Sequence, residues 1–204
     1  MRVRLLILVY VVGLAILSLE IGIGASFALL SAAGLCAVVS GKPYYAFRTL
    51  RPKAAIRRYL SGAVRWSRAQ FGFIAAAISG SMLLPAPDRL LAITCLIALL
   101  TACFAAARVG CLTVDCCGWT AERKMLVDGR AVEVVLATIA ISVAGLLVWI
   151  RLPLIGFFWL VSAYISLRTF SLLMQARFWL AKRESACLGC GLAGLIVAMP
   201  WIIP

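Results

Sequence analysis

The sequence contains no histidine, and this absence removes several classes of chemistry at once. Without an imidazole, the chain has no histidine general base, no Ser-His or Cys-His nucleophile, and no histidine ligand for a metal or a haem. Acidic residues are also few, with seven Asp and Glu against twenty Lys and Arg. Cysteine, with eight copies, is therefore the first candidate for any chemistry.

Charge of either sign is scarce as well, since 13% of the 204 residues are charged and 65% are hydrophobic. This composition is typical of a chain whose main solvent is lipid. The first apolar run, which begins at Leu5, is longer than the apolar centre of a cleaved signal segment, so we interpret it as part of the fold. A net charge of +13 could indicate nucleic acid binding, but basic loops facing anionic lipid headgroups account for it without such a partner.

The long apolar runs predict an all-α, polytopic transmembrane helical bundle. Residues 5–40 carry one ionisable side chain, Glu20, and would form a helix of about 54 Å, which exceeds a hydrocarbon core of roughly 30 Å. We therefore place a turn at the glycines between Glu20 and Ser26. The predicted helices are 5–22, 26–41, 69–84, 90–107, 131–150, 154–173 and 186–203. These make about seven spans in a single membrane domain, or six if the first hairpin is misread.

A basic segment over residues 42–68 carries eight Lys and Arg and no acid. Such a segment is typical of a cytoplasmic or interfacial helix, and its anchoring residues would be Arg48, Arg51, Lys53, Arg57 and Arg58. Binding of RNA or of a phosphorylated substrate is the alternative. With the amino terminus inside, eighteen Lys and Arg lie on the cytoplasmic side and two on the other, which predicts that orientation in a cell membrane, most simply a bacterial inner membrane.

This topology gathers six of the eight cysteines toward the cytoplasmic face. Three follow the fourth helix in a polar loop over residues 108–130, two begin the seventh helix, and one lies near the end of the second. They are Cys111, Cys116, Cys117, Cys187, Cys190 and Cys36. We expect the remaining two, Cys95 and Cys103, to pack within the fourth helix.

The spacing of Cys187 and Cys190 at a helix start predicts a thiol redox pair, because the helix dipole and nearby cations lower the pKa of the first thiol. The same pair with two of the loop cysteines could instead supply four thiolates to zinc or an iron–sulfur cluster. A third interpretation is that these cysteines are reduced or palmitoylated. Beside the loop, Glu133 could accept a proton from a thiol or form an ion pair with Arg108.

The middle of the chain, about residues 27–149, resembles the MauE/DoxX-like family of small membrane proteins. The likeness rests on the Ser40-Gly41-Lys42 turn, the basic segment, the proline turn over residues 85–89 and the motif Asp115-Cys116-Cys117-Gly118-Trp119. Family members place a glycine between the two cysteines, whereas here the cysteines are adjacent. The resemblance implies a role in disulfide handling or in the maturation of a partner enzyme.

The functional hypothesis is a membrane thiol–disulfide redox or maturation accessory protein. In it, Cys187 and Cys190 form one couple, and Cys111 with Cys116 or Cys117 exchanges with it, because a disulfide between adjacent cysteines is strained. A quinone or a thioredoxin-like protein is the expected electron partner. The alternatives are a non-catalytic subunit that scaffolds a larger complex through the basic segment, and a cysteine-based metal-binding protein.

Overall fold

The computed structural model describes residues 2–41, 54, 66–114, 129–174, 184 and 186–190. Six helices account for most of them: α1 (Arg2–Ile21), α2 (Ile23–Gly41), α3 (Trp66–Ser81), α4 (Ala86–Val114), α5 (Gly129–Trp149) and α6 (Pro153–Met174). Residues 186–190 are also helical, where the seventh helix is predicted to begin. This part of the chain contains no β-strand, and the predicted all-helical architecture is confirmed.

Four helices are long and apolar enough to cross a membrane. They are α2, residues Ala86–Val109 of α4, α5, and residues Pro153–Leu173 of α6. The apolar part of α1, Leu6–Ile21, and the 16-residue α3 are shorter than the roughly 20 residues that a hydrocarbon core requires. Within the described ranges, these four helices support a membrane-spanning bundle, and the count of about seven spans stays a prediction.

Two tight turns lie where the sequence predicts them, after α1 and after α5, whereas the turn predicted over residues 85–89 lies at residues 82–85, because α4 already begins at Ala86. Gly22 separates α1 from α2 and has a φ of 81°, a conformation that glycine adopts without steric cost. At the end of α5, the amide of Leu152 donates to the carbonyl of Leu147 and the amide of Arg151 donates to that of Val148. These two bonds, with Arg151 at a φ of 65° and Pro153 following, form a Schellman motif that ends α5 and begins α6.

Helix α4 lies at the centre of the bundle, in contact with α1, α3, α5 and α6. Its buried side chains, among them Leu96, Leu100 and Phe104, form one core cluster with residues of the surrounding helices. Cys95 and Cys103 pack against this cluster, which confirms the structural role predicted for them. Because this long central helix is buried on several sides, its apolar residues are distributed around the whole helix and not along one face.

Small residues allow the closest helix contacts. Gly72 of α3 faces the last turns of α2, and a β-carbon at this position would overlap the side chain of Ser40 and the carbonyl of Cys36. The hydroxyl of Ser40 also contacts the carbonyl of Arg68 at 3.3 Å. This contact agrees with the expectation that Gly, Ala and Ser residues bring helices together where the hydrophobic effect cannot.

The main difference from the sequence prediction is the length of α4. It was expected to end near Ala107, but it continues to Val114, so Arg108 and Cys111 lie on the helix and not in a loop. Near the carboxyl end of α4, the carbonyl of Cys111 accepts a hydrogen bond from Arg130 of α5, and a reading of local polarity does not include this contact. Residues 115–128, with Cys116 and Cys117, and the basic-segment residues Arg48, Arg51, Lys53, Arg57 and Arg58 lie outside the described residues.

Candidate functional site: a buried charged cluster beside an apolar groove

Several polar side chains converge at one end of the bundle, where α2, α4 and α6 end and α3 and α5 begin. We call this the cluster end. Arg108 lies near the end of α4, Glu133 near the start of α5, Arg168 near the end of α6, and Gln70 near the start of α3. All four side chains are buried, and Gln70 and Glu133 have no exposed surface. An ionisable group buried in a membrane protein is a functional candidate by default.

The first part of the cluster is an ion pair between Arg108 and Glu133. The Nε atom of Arg108 lies 2.5 Å from Oε2 of Glu133, and Nη2 of Arg108 donates to the hydroxyl of Ser171 on α6. The sequence prediction of an Arg108–Glu133 pair is confirmed. The pair is buried rather than interfacial, because α6 covers the side of α4 that carries Arg108.

The second part of the cluster is centred on Glu184, which follows α6 in the chain. Nη2 of Arg168 donates to Oε2 of Glu184 over 2.8 Å, and Nε2 of Gln70 donates to the same oxygen over 3.0 Å. The hydroxyl of Tyr164 donates to Oε1 of Gln70 over 2.7 Å. Oε1 of Glu184 has no hydrogen-bond partner among the described residues.

Phe104 connects the two ion pairs. The guanidinium carbon of Arg108 lies 5.0 Å from the centre of its ring, and that of Arg168 lies 5.8 Å from it. The ring of Tyr164 meets Phe104 edge-on, with centroids 6.5 Å apart. Both arginines are within cation–π distance of the same aromatic ring, so the cluster is a continuous assembly of α3, α4, α5, α6 and Glu184.

Arg130 adds a third buried guanidinium at the cluster end. Its Nη1 donates to the backbone carbonyl of Cys111 over 3.0 Å. This contact joins the first turn of α5 to the extended part of α4 and holds Cys111 in a buried position. The continuation of α4 to Val114 therefore has a physical cause, since a neighbouring side chain satisfies a carbonyl near the end of that helix.

An apolar groove of about 90 Å³ lies beside the cluster. Three helices supply most of its walls: Ile74 and Ile78 from α3, Ile97 and Leu100 from α4, and Val161 and Ile165 from α6. Tyr164 and Cys187 also line it. Tyr164 thus contacts the groove on one side and the charged cluster on the other, through its hydrogen bond to Gln70.

The structure separates the predicted cysteines into three groups. Cys187 and Cys190 are exposed and carry free thiols, and Cys36 is exposed near the end of α2. Cys111 is buried, and no disulfide joins it to Cys187 or Cys190. Among the described residues, no three Cys, Asp or Glu side chains form a group that could hold a metal ion. Cys116 and Cys117, which the four-thiolate hypothesis invokes, lie outside those residues.

Sequence reasoning missed the second half of the cluster. Arg168 was counted among the cytoplasmic charges although it falls inside the predicted sixth helix, and Gln70, Tyr164 and Glu184 were not singled out. The available signal was the presence of Arg168 and Gln70 in otherwise apolar stretches, because polar groups at such positions face the bundle interior. Their common partner is Glu184, which is separated from Gln70 by 114 residues and cannot be predicted from spacing.

The helices and the cluster together define an all-helical membrane protein with buried ion pairs at one end and an apolar, thiol-lined groove beside them. Comparisons with protein-family models, with curated proteins and with solved structures give no match to this chain. Its function must therefore be inferred from the site itself.

Proposed function

We propose that this protein is a membrane thiol–disulfide redox protein that assists the maturation of a partner enzyme. The proposal is carried by the position of Cys187, which lines the apolar groove while its thiol is exposed. Cys190 follows it on the same short helical stretch and is exposed as well. Two accessible thiols three residues apart, beside a groove, have the arrangement that reversible disulfide chemistry requires.

The helical spacing also indicates the direction of exchange. Side chains three residues apart on a helix have β-carbons about 5–6 Å apart, whereas a disulfide brings them to about 3.5–4.5 Å. Closing the Cys187–Cys190 bond therefore distorts the local helix. A strained and exposed disulfide has a relatively high reduction potential, so the oxidised pair would donate its disulfide to another protein.

The proposed topology has about seven spans, with the amino terminus and the cluster end on the cytoplasmic side. The strong excess of Lys and Arg on that side supports this topology, because basic loops of membrane proteins remain on the cytoplasmic side. A bacterial inner membrane is the simplest membrane with such a cytoplasmic side. In this arrangement Cys36, Cys187 and Cys190 face the cytoplasm. A thioredoxin-like protein is then a suitable soluble partner, and the resemblance to the MauE/DoxX-like family supports a maturation role.

The second cysteine set completes the proposal. It consists of Cys111, whose side chain is buried, and Cys116 or Cys117, which lie outside the described residues. A disulfide of either residue with Cys111 would exchange with the Cys187–Cys190 pair. The exchange conserves bonds, since the thiolate that attacks forms one S–S bond as another breaks.

A peptide-mass experiment tests the couple directly. No Lys or Arg follows Arg183, so trypsin releases residues 184–204 as one peptide whose only cysteines are Cys187 and Cys190. After mild oxidation and blocking of free thiols, we expect this peptide to lack the mass of two hydrogens and to carry no blocking group. The Cys187→Ser and Cys190→Ser variants should each retain one blocked thiol, and Cys36→Ser should behave as the unmodified protein. A peptide that remains doubly blocked under oxidation would contradict the proposal.

A non-catalytic scaffold is the second candidate, and the buried cluster favours it. The two ion pairs and Gln70 connect α3, α4, α5, α6 and Glu184. Stabilising the bundle would explain these residues in a structural subunit without any catalytic role. In this case the basic segment over residues 42–68 would be the docking surface. Replacing Cys111, Cys116, Cys117, Cys187 and Cys190 together by serine separates the two functions, because a scaffold should still assemble with its partners.

A cysteine-based metal carrier is tested with the same variant. Elemental analysis of the purified protein should find zinc or iron if thiolates bind a metal, and the five substitutions should release it. This alternative would be excluded if the purified protein contained no zinc or iron and all eight cysteines were found as free thiols or disulfides.

A further inference from the structure

We propose that two buried contacts, made by Glu184 and by Leu188, hold the Cys187–Cys190 pair in a helical conformation and so set the reduction potential of its disulfide. This inference rests on the proposed redox function and concerns the regulation of the same two thiols. Glu184 is helical, and residues 186–190 are helical as well. We call Glu184 and residues 186–190 together the cysteine stretch.

The first contact of the cysteine stretch is polar. The carboxylate of Glu184 is buried, and its Oε2 atom accepts hydrogen bonds from Nη2 of Arg168 over 2.8 Å and from Nε2 of Gln70 over 3.0 Å. These donors belong to α6 and to α3, so Glu184 is attached to two helices of the bundle. Separating it from Arg168 would break a buried ion pair, which is costly. Glu184 is therefore a strong anchor for the cysteine stretch.

The second contact is apolar. Leu188 is buried and lines the groove among α3, α4 and α6, whereas Cys187, Gly189 and Cys190 are exposed. Leu188 follows Glu184 by four residues, an interval that spans about 6 Å in a helix and about 13 Å in an extended chain. Helical side chains at this interval share one face. Both anchors can therefore be in place together only while the cysteine stretch is helical.

The helical conformation opposes the disulfide. Side chains three residues apart on a helix have β-carbons about 5–6 Å apart, and the Cys187–Cys190 bond requires about 3.5–4.5 Å. The stretch must distort to close this bond, and the two anchors resist the distortion. They therefore shift the equilibrium toward the two thiols and make the disulfide a stronger oxidant of a partner. The coupling is reciprocal, so forming the disulfide weakens both anchors by the same free energy.

The test measures the equilibrium between the dithiol and the disulfide in glutathione buffers. As the S–S bond forms, Cys187 and Cys190 together lose two protons and two electrons, and one glutathione disulfide accepts them and becomes two glutathione thiols. Whole protein in lipid nanodiscs is equilibrated at a series of glutathione ratios, and free thiols are then blocked. The oxidised fraction of the 184–204 peptide gives the equilibrium constant, in which a tenfold change corresponds to about 30 mV.

Two variants weaken the anchors separately. Glu184→Gln removes the charge that Arg168 binds, and Leu188→Ala shortens the apolar anchor but leaves the ion pair intact, so the test does not depend on one substitution being tolerated. Gly189→Ala acts in the opposite direction, because its β-carbon meets nothing within 4 Å and alanine favours a helix. Leu17→Ala is the matched control, since it shortens a buried leucine of α1 that does not line the groove.

We expect each anchor variant to raise the equilibrium constant for disulfide formation about fivefold or more, which is the lower end of ordinary coupling between two sites. Gly189→Ala should lower this constant by up to about fivefold, as the difference in helix propensity between alanine and glycine requires. Leu17→Ala should leave it unchanged.

An unchanged or lower equilibrium constant in both anchor variants, with the disulfide still formed, would overturn the anchoring and leave the proposed redox function intact. An equal increase in Leu17→Ala would also overturn it, because loosening of the whole bundle would then be the cause. Absence of the disulfide from the unmodified protein at every glutathione ratio would overturn the redox function itself.

Discussion

At the scale of single residues, the two buried ion pairs differ in how far the sequence predicts them. The Arg108–Glu133 pair was predictable because both residues flank one polar segment of the sequence. The Arg168–Glu184 pair was not, because Glu184 obtains its partners from α6 and from the distant α3. Local sequence shows that a polar residue is present within an apolar helix, but the identity of its partner depends on tertiary packing.

Removal of one charge from the Arg168–Glu184 pair should destabilise the protein strongly. In Arg168→Met the carboxylate of Glu184 remains buried, with one hydrogen bond from Gln70 and no counter-charge from the residues that the structure describes. We expect a loss of about 3–5 kcal/mol in the free energy of unfolding, measured by thermal or denaturant unfolding in detergent micelles. The double variant Arg168→Met/Glu184→Met should recover most of this loss, because two apolar side chains leave no uncompensated charge.

The control for this experiment is Arg68→Met, which removes an exposed arginine near the same end of the bundle. A surface substitution of this kind should change the free energy of unfolding by no more than about 0.5 kcal/mol. If Arg168→Met were as mild as Arg68→Met, the ion pair would not contribute to the fold, and the cluster would have to be explained by function alone.

At the scale of helices, the local sequence predicts the positions of turns better than it predicts the contacts between helices. Gly22 and the Arg151–Pro153 turn are where the sequence predicts them, because glycine and proline act on the backbone itself. The end of α4 was predicted too early, since Arg130 satisfies the carbonyl of Cys111 from another helix. Hydropathy identifies helices, but it does not reveal which helices are neighbours.

The close contact between α2 and α3 should depend on the absence of a side chain at Gly72. In Gly72→Ala the new β-carbon would overlap the carbonyl of Cys36, which is backbone and cannot rotate away. The two helices would have to separate, and we expect a loss of about 1–3 kcal/mol in the free energy of unfolding. Gly34→Ala, on α2, is the matched control, because a β-carbon there meets nothing within 4 Å.

Helix propensity alone favours alanine over glycine by about 1 kcal/mol, so Gly34→Ala should be neutral or stabilising. Opposite signs for the two variants in the same unfolding assay would establish steric contact as the cause. A stabilising effect of Gly72→Ala would show that α2 and α3 are not packed as closely as the structure indicates.

For the whole molecule, the apolar stretches and the distribution of charge predict a helical membrane protein, and the structure supports that class. The number of crossings depends on α1, on α3 and on the chain beyond residue 190, and helix length within the described residues does not establish it. The side of the membrane on which the cluster lies comes from the Lys and Arg count alone. Both properties can be measured with thiol reagents.

Labelling with a membrane-impermeant maleimide should place the two ends of the bundle on opposite sides. In right-side-out vesicles, Cys190 should resist the reagent, and in inverted vesicles it should react, since the cluster end is proposed to be cytoplasmic. A cysteine introduced by Leu83→Cys should show the reverse pattern, because Leu83 is 88% exposed in the turn between α3 and α4, at the other end of α4.

Background reactivity is measured in a Cys190→Ser/Cys187→Ser/Cys36→Ser protein without the introduced cysteine. If the two labelling patterns were exchanged, the protein would have the orientation opposite to the one proposed. Labelling of both positions from one side would show that α4 does not cross the membrane.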